Sequence, residues 1–328
     1  MTQHPTSSNK GTTAAALSLH ELRGLLLPIT TPFSHSGEVD ERALRANIQQ
    51  WNLCGINGYV ILGSTGERVN LDETESFRVI EILRSEIPER PDRPAFIVGA
   101  GQQSTYGTIT EIKRIAHAAD AVLVITPHFY RSAINQETLA DHYRAVADAS
   151  PVPLILYSMP ALTGIKIEPE TAARLSAHEN IIGIKDSSAD VTGLQETLRL
   201  TSTDFAVFTG NGTVFCEGLL AGARGGILAV GCVAPALCLA IYAAVKLGDM
   251  ERAKRLQTAL TPLATAVTTK FGIGGLKAAL EMRGYVGGFP RNPLPAPDET
   301  ALEEIRRCLE GADAALHEVA PRGSEATH

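Results

Sequence analysis

Cysteine is scarce in this 328-residue chain, and what there is forms no pattern. The five residues, Cys54, Cys216, Cys232, Cys238 and Cys308, are odd in number and scattered, with no C-x-x-C pair. That speaks for reduced thiols in a cytosolic protein and against a zinc site. Positive charge is also short: 29 Lys and Arg against 36 Asp and Glu give a net charge of −7. Such a balance argues against nucleic acid or an anionic membrane as the main partner. The Ser/Thr/Ala-rich start lacks the basic end and long apolar core of a signal peptide, and we expect a disordered tail over 1–20. The longest uncharged run, 225–245, is interrupted by Gly225, Gly226, Gly231 and Pro235, so its first part reads as a buried strand rather than a membrane span. No G-x-G-x-x-G follows the first strand candidate, which argues against a dinucleotide-binding sheet. The expectation is a soluble, cytoplasmic protein without nucleic-acid or membrane partners.

What is there is alternation. The length buries a large core, and 44% hydrophobic with 20% charged residues is ordinary for a globular chain. Short apolar runs rich in β-branched residues recur at 24–28, 58–62, 95–98, 121–125, 154–157, 181–185, 205–208 and 226–230. Most are nearly continuous hydrophobic stretches, as in strands covered on both faces of a parallel sheet. Amphipathic segments follow at 40–53, 72–86, 105–118, 136–149 and 190–201, several opening on Asp or Thr, residues that cap orphan helix amides. Eight such units predict an α/β fold, a (β/α)8 TIM barrel, over 21–248. Helical patterns at 250–261, 275–283 and 299–309 predict a C-terminal helical extension over 249–312, with a second disordered tail over 313–328.

In such a barrel, reacting groups project from the C-terminal ends of the strands. Those ends offer Gly63-Ser64-Thr65-Gly66-Glu67, then Thr126-Pro127-His128-Phe129-Tyr130, Tyr157-Ser158-Met159-Pro160, Lys185-Asp186-Ser187-Ser188 and Gly210-Asn211-Gly212. Lys185 closes the apolar run Ile181-Ile182-Gly183-Ile184. Desolvation there disfavours an ammonium and frees an amine for Schiff-base chemistry. The alternative is a lysine that caps the strand and reaches solvent. Tyr157 closes the neighbouring strand, where it either relays protons or sits at the rim with a satisfied hydroxyl. The Gly63–Gly66 turn can aim amides and hydroxyls at a carboxylate, or be an ordinary Gly-rich turn. No His, Glu or Asp cluster with metal spacing accompanies them, and His128 reads as structural.

At these three motifs the sequence resembles the dihydrodipicolinate synthase/N-acetylneuraminate lyase superfamily of Schiff-base aldolases, over about residues 22–293. The Gly63–Glu67 stretch resembles its carboxylate-binding loop, Tyr157–Pro160 its tyrosine strand and Gly183–Ser187 its lysine strand. The resemblance implies that Lys185 condenses with the ketone of a 2-oxo acid, usually pyruvate. The protonated imine then acts as electron sink while the C3–C4 bond breaks or forms. Tyr157 would shuttle protons. Ser64 and Thr65 would hold the carboxylate, with Thr65 also in the relay. Gly63, Ser187, Gly210 and Leu228 would line the pocket. No metal or organic cofactor is implied. The implied partners are the 2-oxo acid, an aldehyde and further copies of the chain in a homotetramer, a dimer of dimers.

Two departures bear on the branch. The synthases carry an arginine shortly after the tyrosine motif that grips the carboxylate of aspartate semialdehyde, and here Leu162 stands at that position; losing a bidentate clamp is not conservative. Phe129, with Tyr130 beside it, occupies the place from which a tyrosine reaches across the dimer interface. Within the superfamily the likeness is closest to the 4-hydroxy-2-oxoglutarate aldolases, carried by 156–160, 184–187, 190–192 and the stretch from Ala266 to Gly288. We therefore expect cleavage of 4-hydroxy-2-oxoglutarate to pyruvate and glyoxylate. The alternatives are condensation of pyruvate with aspartate semialdehyde, a sugar-acid lyase or dehydratase, or a pyruvate-binding barrel without turnover.

Overall fold

The computed structural model describes residues 22–318. The tail expected over 1–20 and the last ten residues lie outside that range. Eight parallel strands close into a barrel in chain order: β1 (Gly24–Pro28), β2 (Gly58–Ile61), β3 (Ala95–Ala100), β4 (Ala121–Ile125), β5 (Leu154–Ser158), β6 (Ile181–Asp186), β7 (Ala206–Thr209) and β8 (Gly225–Ile227). Side chains alternate across each strand. Leu26, Val60, Ile97, Leu123, Ile155, Phe208 and Ile227 fill the interior of the barrel. Leu25, Leu27, Tyr59, Ile61, Phe96 and Val98 pack outward against the helices. Both faces of the sheet are thus buried, and the strands read as unbroken apolar runs for that reason.

Helices α1 (Glu41–Trp51), α2 (Glu73–Ser85), α3 (Thr105–Ile115) and α4 (Gln136–Ala149) cover the first half. The short α5 (Pro160–Thr163), α6 (Pro169–Ser176), α7 (Val191–Leu200), α8 (Phe215–Ala221) and α9 (Pro235–Lys246) follow. Several of their starts are fixed by side-chain caps: Asp40 accepts from the Ala43 amide, Ser104 from Gly107 and Asp190 from Gly193, and Asp72 with Glu75 forms a reciprocal capping box. After the barrel come α10 (Met250–Thr265), a widened turn over Ala266–Lys270, α11 (Gly272–Met282) and α12 (Glu299–Glu318). The segment after α11 returns over the β1–α1 loop. Asn47 exchanges two hydrogen bonds of 2.8 Å with Val286, and the Phe289 amide donates to the Phe33 carbonyl at 2.9 Å.

The structure departs from the sequence expectation at the ends of β8 and α12, and it fills in one segment left unassigned. Strand β8 stops at Ile227 instead of 230, because the chain tightens over Ala229–Cys232 so that Gly231 can lie against Leu25 and Leu27. The second part of the uncharged run is α9, opened by Pro235 at its first turn, and no described helix is long and apolar enough to cross a membrane. Helix α12 continues to Glu318, past the boundary placed at 312, and Leu316 carries its apolar face on against the core.

Candidate active site

The C-terminal ends of β2, β5, β6 and β7 converge on Lys185. Between Ile181 and Gly183 strand β6 carries a bulge: Leu154 pairs with Ile181, but Ile155 pairs with Gly183. The extra residue resets the alternation, so that Ile182 joins the interior, Ile184 the outer layer, and Lys185 comes to lie directly opposite Tyr157. Bulges that re-aim one side chain are common beside active sites. Lys185 and Tyr157 are each 4% exposed, and the Lys185 Nζ sits 4.3 Å from the centre of the Tyr157 ring.

Glycine at 210, on the end of β7, is required by this lysine. A Cβ there would stand 2.8 Å from Lys185 Cε and 2.0 Å from Ser187 Oγ. The missing side chain is the space through which Lys185 passes, with Ser187 beside it.

The turn after β2 is held by backbone geometry that side chains seldom adopt. Leu62 and Glu67, which flank it, both have left-handed backbones, with φ of 53° and 55°. Gly99 on β3 makes room: a Cβ there would lie 2.2 Å from the Leu62 carbonyl oxygen. The Gly66 and Glu67 amides close the turn onto Gly63 and Ser64, and the Thr31 hydroxyl donates to the Gly66 carbonyl at 2.8 Å. The Ser64 and Thr65 amides make no hydrogen bond among the described residues, which leaves two donors for a carboxylate. Ser64 Oγ lies 3.4 Å from the Tyr157 hydroxyl.

The electrostatics follow from this packing. Burial alone would raise the Tyr157 phenol. The Lys185 ammonium and hydrogen bonds with Ser64, Lys185 and Ser187 outweigh it and hold the phenol below its ordinary value. A tyrosine so placed releases and takes back a proton more easily than a free one. The arrangement brings a lysine, a tyrosine with a lowered phenol and two free backbone amides to neighbouring strand ends.

Gly63, Ser64, Thr65, Tyr157, Lys185, Ser187 and Gly210 are therefore brought to one end of the barrel. Leu228 follows β8 at the same end, but it comes after the inward-facing Ile227, so its side chain belongs to the outer layer, beside Phe215 and fully buried. Thr65 is buried in the turn, but the contact with Tyr157 is made by Ser64; the proton relay assigned to Thr65 has its geometry one residue earlier. Phe129, Tyr130 and Leu162 are 73%, 70% and 61% exposed. His128 is held by Gln103 and the Thr126 carbonyl. No group of three His, Cys, Asp or Glu side chains among the described residues is placed to hold a metal. The β6 bulge and the accommodating Gly99 escaped the sequence reading, since neither has a local signature.

Residues 21–312 match the model of the dihydrodipicolinate synthetase family. The chain is 35% identical over 289 residues to 4-hydroxy-tetrahydrodipicolinate synthase of Syntrophus aciditrophicus, covering 88% of this chain and 97% of that one. Among solved structures, the dihydrodipicolinate synthase of Thermotoga maritima superposes with a TM-score of 0.80 at 32% identity, over 90% of this chain and 99% of that one. The chloride-inhibited enzyme of Acinetobacter baumannii, complexed with pyruvate, gives 0.81 at 31% identity, over 89% and 99%.

Proposed function

The chain belongs to the dihydrodipicolinate synthetase family, and on that footing we propose that its lysine Schiff-base chemistry joins pyruvate to an aldehyde, first of all aspartate 4-semialdehyde. The observation that carries the reading is the bulge-set register that places Lys185 opposite Tyr157, with Ser64 on the phenol. In this mechanism the Lys185 amine adds to the pyruvate ketone and water leaves, giving a protonated imine. The Ser64 and Thr65 amides hold the carboxylate. Loss of a C3 proton gives the enamine, whose C3 attacks the aldehyde carbon while the aldehyde oxygen is protonated; the semialdehyde's amino group then adds to the imine carbon and expels the Lys185 amine, closing the ring. Tyr157, hydrogen-bonded to Ser64, carries protons in both directions.

The sequence alone favours cleavage of 4-hydroxy-2-oxoglutarate. The relatives reverse that order, because they carry the name of the synthase. Leu162 is the observation that sustains the cleavage reading as an alternative: no arginine stands where a semialdehyde carboxylate would be gripped. The test is a pair of product assays on the same preparation. Pyruvate with aspartate semialdehyde should give 4-hydroxy-tetrahydrodipicolinate by mass spectrometry. Release of glyoxylate from 4-hydroxy-2-oxoglutarate at a higher kcat/KM would replace the first reading by the second. We read the working assembly as a homotetramer, a dimer of dimers; light scattering at the protomer mass would contradict it.

A further inference from the structure

The turn that seats the carboxylate is anchored from far along the chain. Glu67, directly after Gly66, forms an ion pair of 2.5 Å with Lys277 of α11, and both side chains are 1% exposed. The two oxygens of Glu67 do different things. Oε1 faces the Lys277 ammonium off the line of a hydrogen bond, while that ammonium donates to the Phe289 carbonyl at 2.7 Å. Oε2 accepts from the Arg291 backbone amide at 3.0 Å and from the Asn70 side chain at 3.2 Å. Arg291 in turn grips Glu75 of α2 through two contacts of 2.6 and 2.7 Å and donates to the Gly37 and Asn70 carbonyls. Phe33 lies between the two cations, 4.5 Å from Lys277 Nζ and 4.2 Å from Arg291 Cζ.

A buried ion pair is poor value as a stabiliser, because desolvating both charges offsets most of their attraction, and a well-packed apolar pair often does as well. What it fixes well is position. Glu67 is also one of the two left-handed residues that bracket the turn, a backbone state that persists only where its surroundings enforce it. We propose that Glu67 and Lys277 are positioning residues for substrate binding: the C-terminal extension, through this pair, holds the Gly63–Gly66 turn in the conformation that points the Ser64 and Thr65 amides at the 2-oxo acid carboxylate. The inference rests on the reading of that turn as the carboxylate seat.

The test uses Glu67→Gln, Lys277→Met and the double variant in the full-length protein. The double variant carries no unpaired buried charge and keeps folding separable from positioning. Imine formation is followed by borohydride trapping with two probes, pyruvate and hydroxyacetone, a ketone without a carboxylate. In the folded double variant, the pyruvate concentration for half-maximal trapping should rise by about tenfold or more, while trapping of hydroxyacetone stays at the wild-type level. A general loosening of the barrel would depress both probes alike and overturn the proposal. So would unchanged half-saturation by pyruvate, or failure of all three variants to fold. Absence of any pyruvate adduct in the wild-type protein would instead refute the Schiff-base reading itself, a result none of the variants can mimic.

Discussion

Replacing Gly210 by Ala should damage catalysis far more than stability. The new methyl carbon would stand 2.0 Å from Ser187 Oγ and 2.8 Å from Lys185 Cε. The serine hydroxyl can rotate away. The lysine stem is walled in, and Cε must retreat by about 0.6 Å to reach ordinary contact, which carries Nζ at the end of the lever by roughly 1 Å. Misplacing a reacting atom by that distance costs about 100-fold in rate. The packing cost is smaller: a flexible side chain absorbs most of the overlap, leaving about 1 kcal/mol, or about 2 °C in Tm for a domain of this size. The assay is kcat/KM beside a thermal melt, with Gly210→Ala/Ser187→Ala as control. The control should remain as impaired as the single variant, because the Lys185 contact persists. Activity within threefold of wild type, or full recovery in the control, would show that the lysine is not held where the packing around Gly210 places it.

Three further expectations follow from the same geometry. Tyr157→Phe should lower kcat by about 100-fold or more while leaving the half-saturating pyruvate concentration nearly unchanged; equal effects on both would make Tyr157 a packing residue. Leu162→Arg should raise kcat/KM for aspartate semialdehyde by about tenfold, the worth of one charge-assisted pair, and no change would dissociate that position from aldehyde choice. His142 is buried on α4, bonded to Thr105 Oγ1 at 3.0 Å, and burial pushes it from 6.5 down to about 4. Between those values the unfolded chain binds more protons at this site than the folded one, so stability falls as pH drops from 6.5 towards 4, by up to about 3 kcal/mol. His142→Phe should flatten that part of the stability–pH curve measured by urea melts, and a parallel curve would contradict the assignment.

The parallel barrel was legible because its strands are buried on both faces and so appear as continuous apolar runs, and because Asp40, Asp72 and Asp190 mark helix starts by local hydrogen bonds. Lys185 and Tyr157 were legible as polar residues closing such runs. Leu228 was assigned to the pocket by resemblance alone, and the alternation that turns Ile227 into the barrel turns Leu228 out of it. Ser64 and Thr65 could not be ranked from the sequence, since which hydroxyl meets Tyr157 depends on the left-handed residues that bracket the turn. The partnership of Glu67 with Lys277 spans most of the chain, and a charge in an apolar context says that it must be paired without saying with what.

The central claim is that Lys185 forms an imine with pyruvate. The most direct measurement is the intact mass of the protein after borohydride reduction in the presence of pyruvate, with peptide mapping and Lys185→Ala in parallel. A single reduced pyruvate adduct on Lys185, absent from a folded Lys185→Ala protein that has lost turnover, is the expected result. A folded wild-type protein without the adduct, or a Lys185→Ala variant that still turns over, would contradict it.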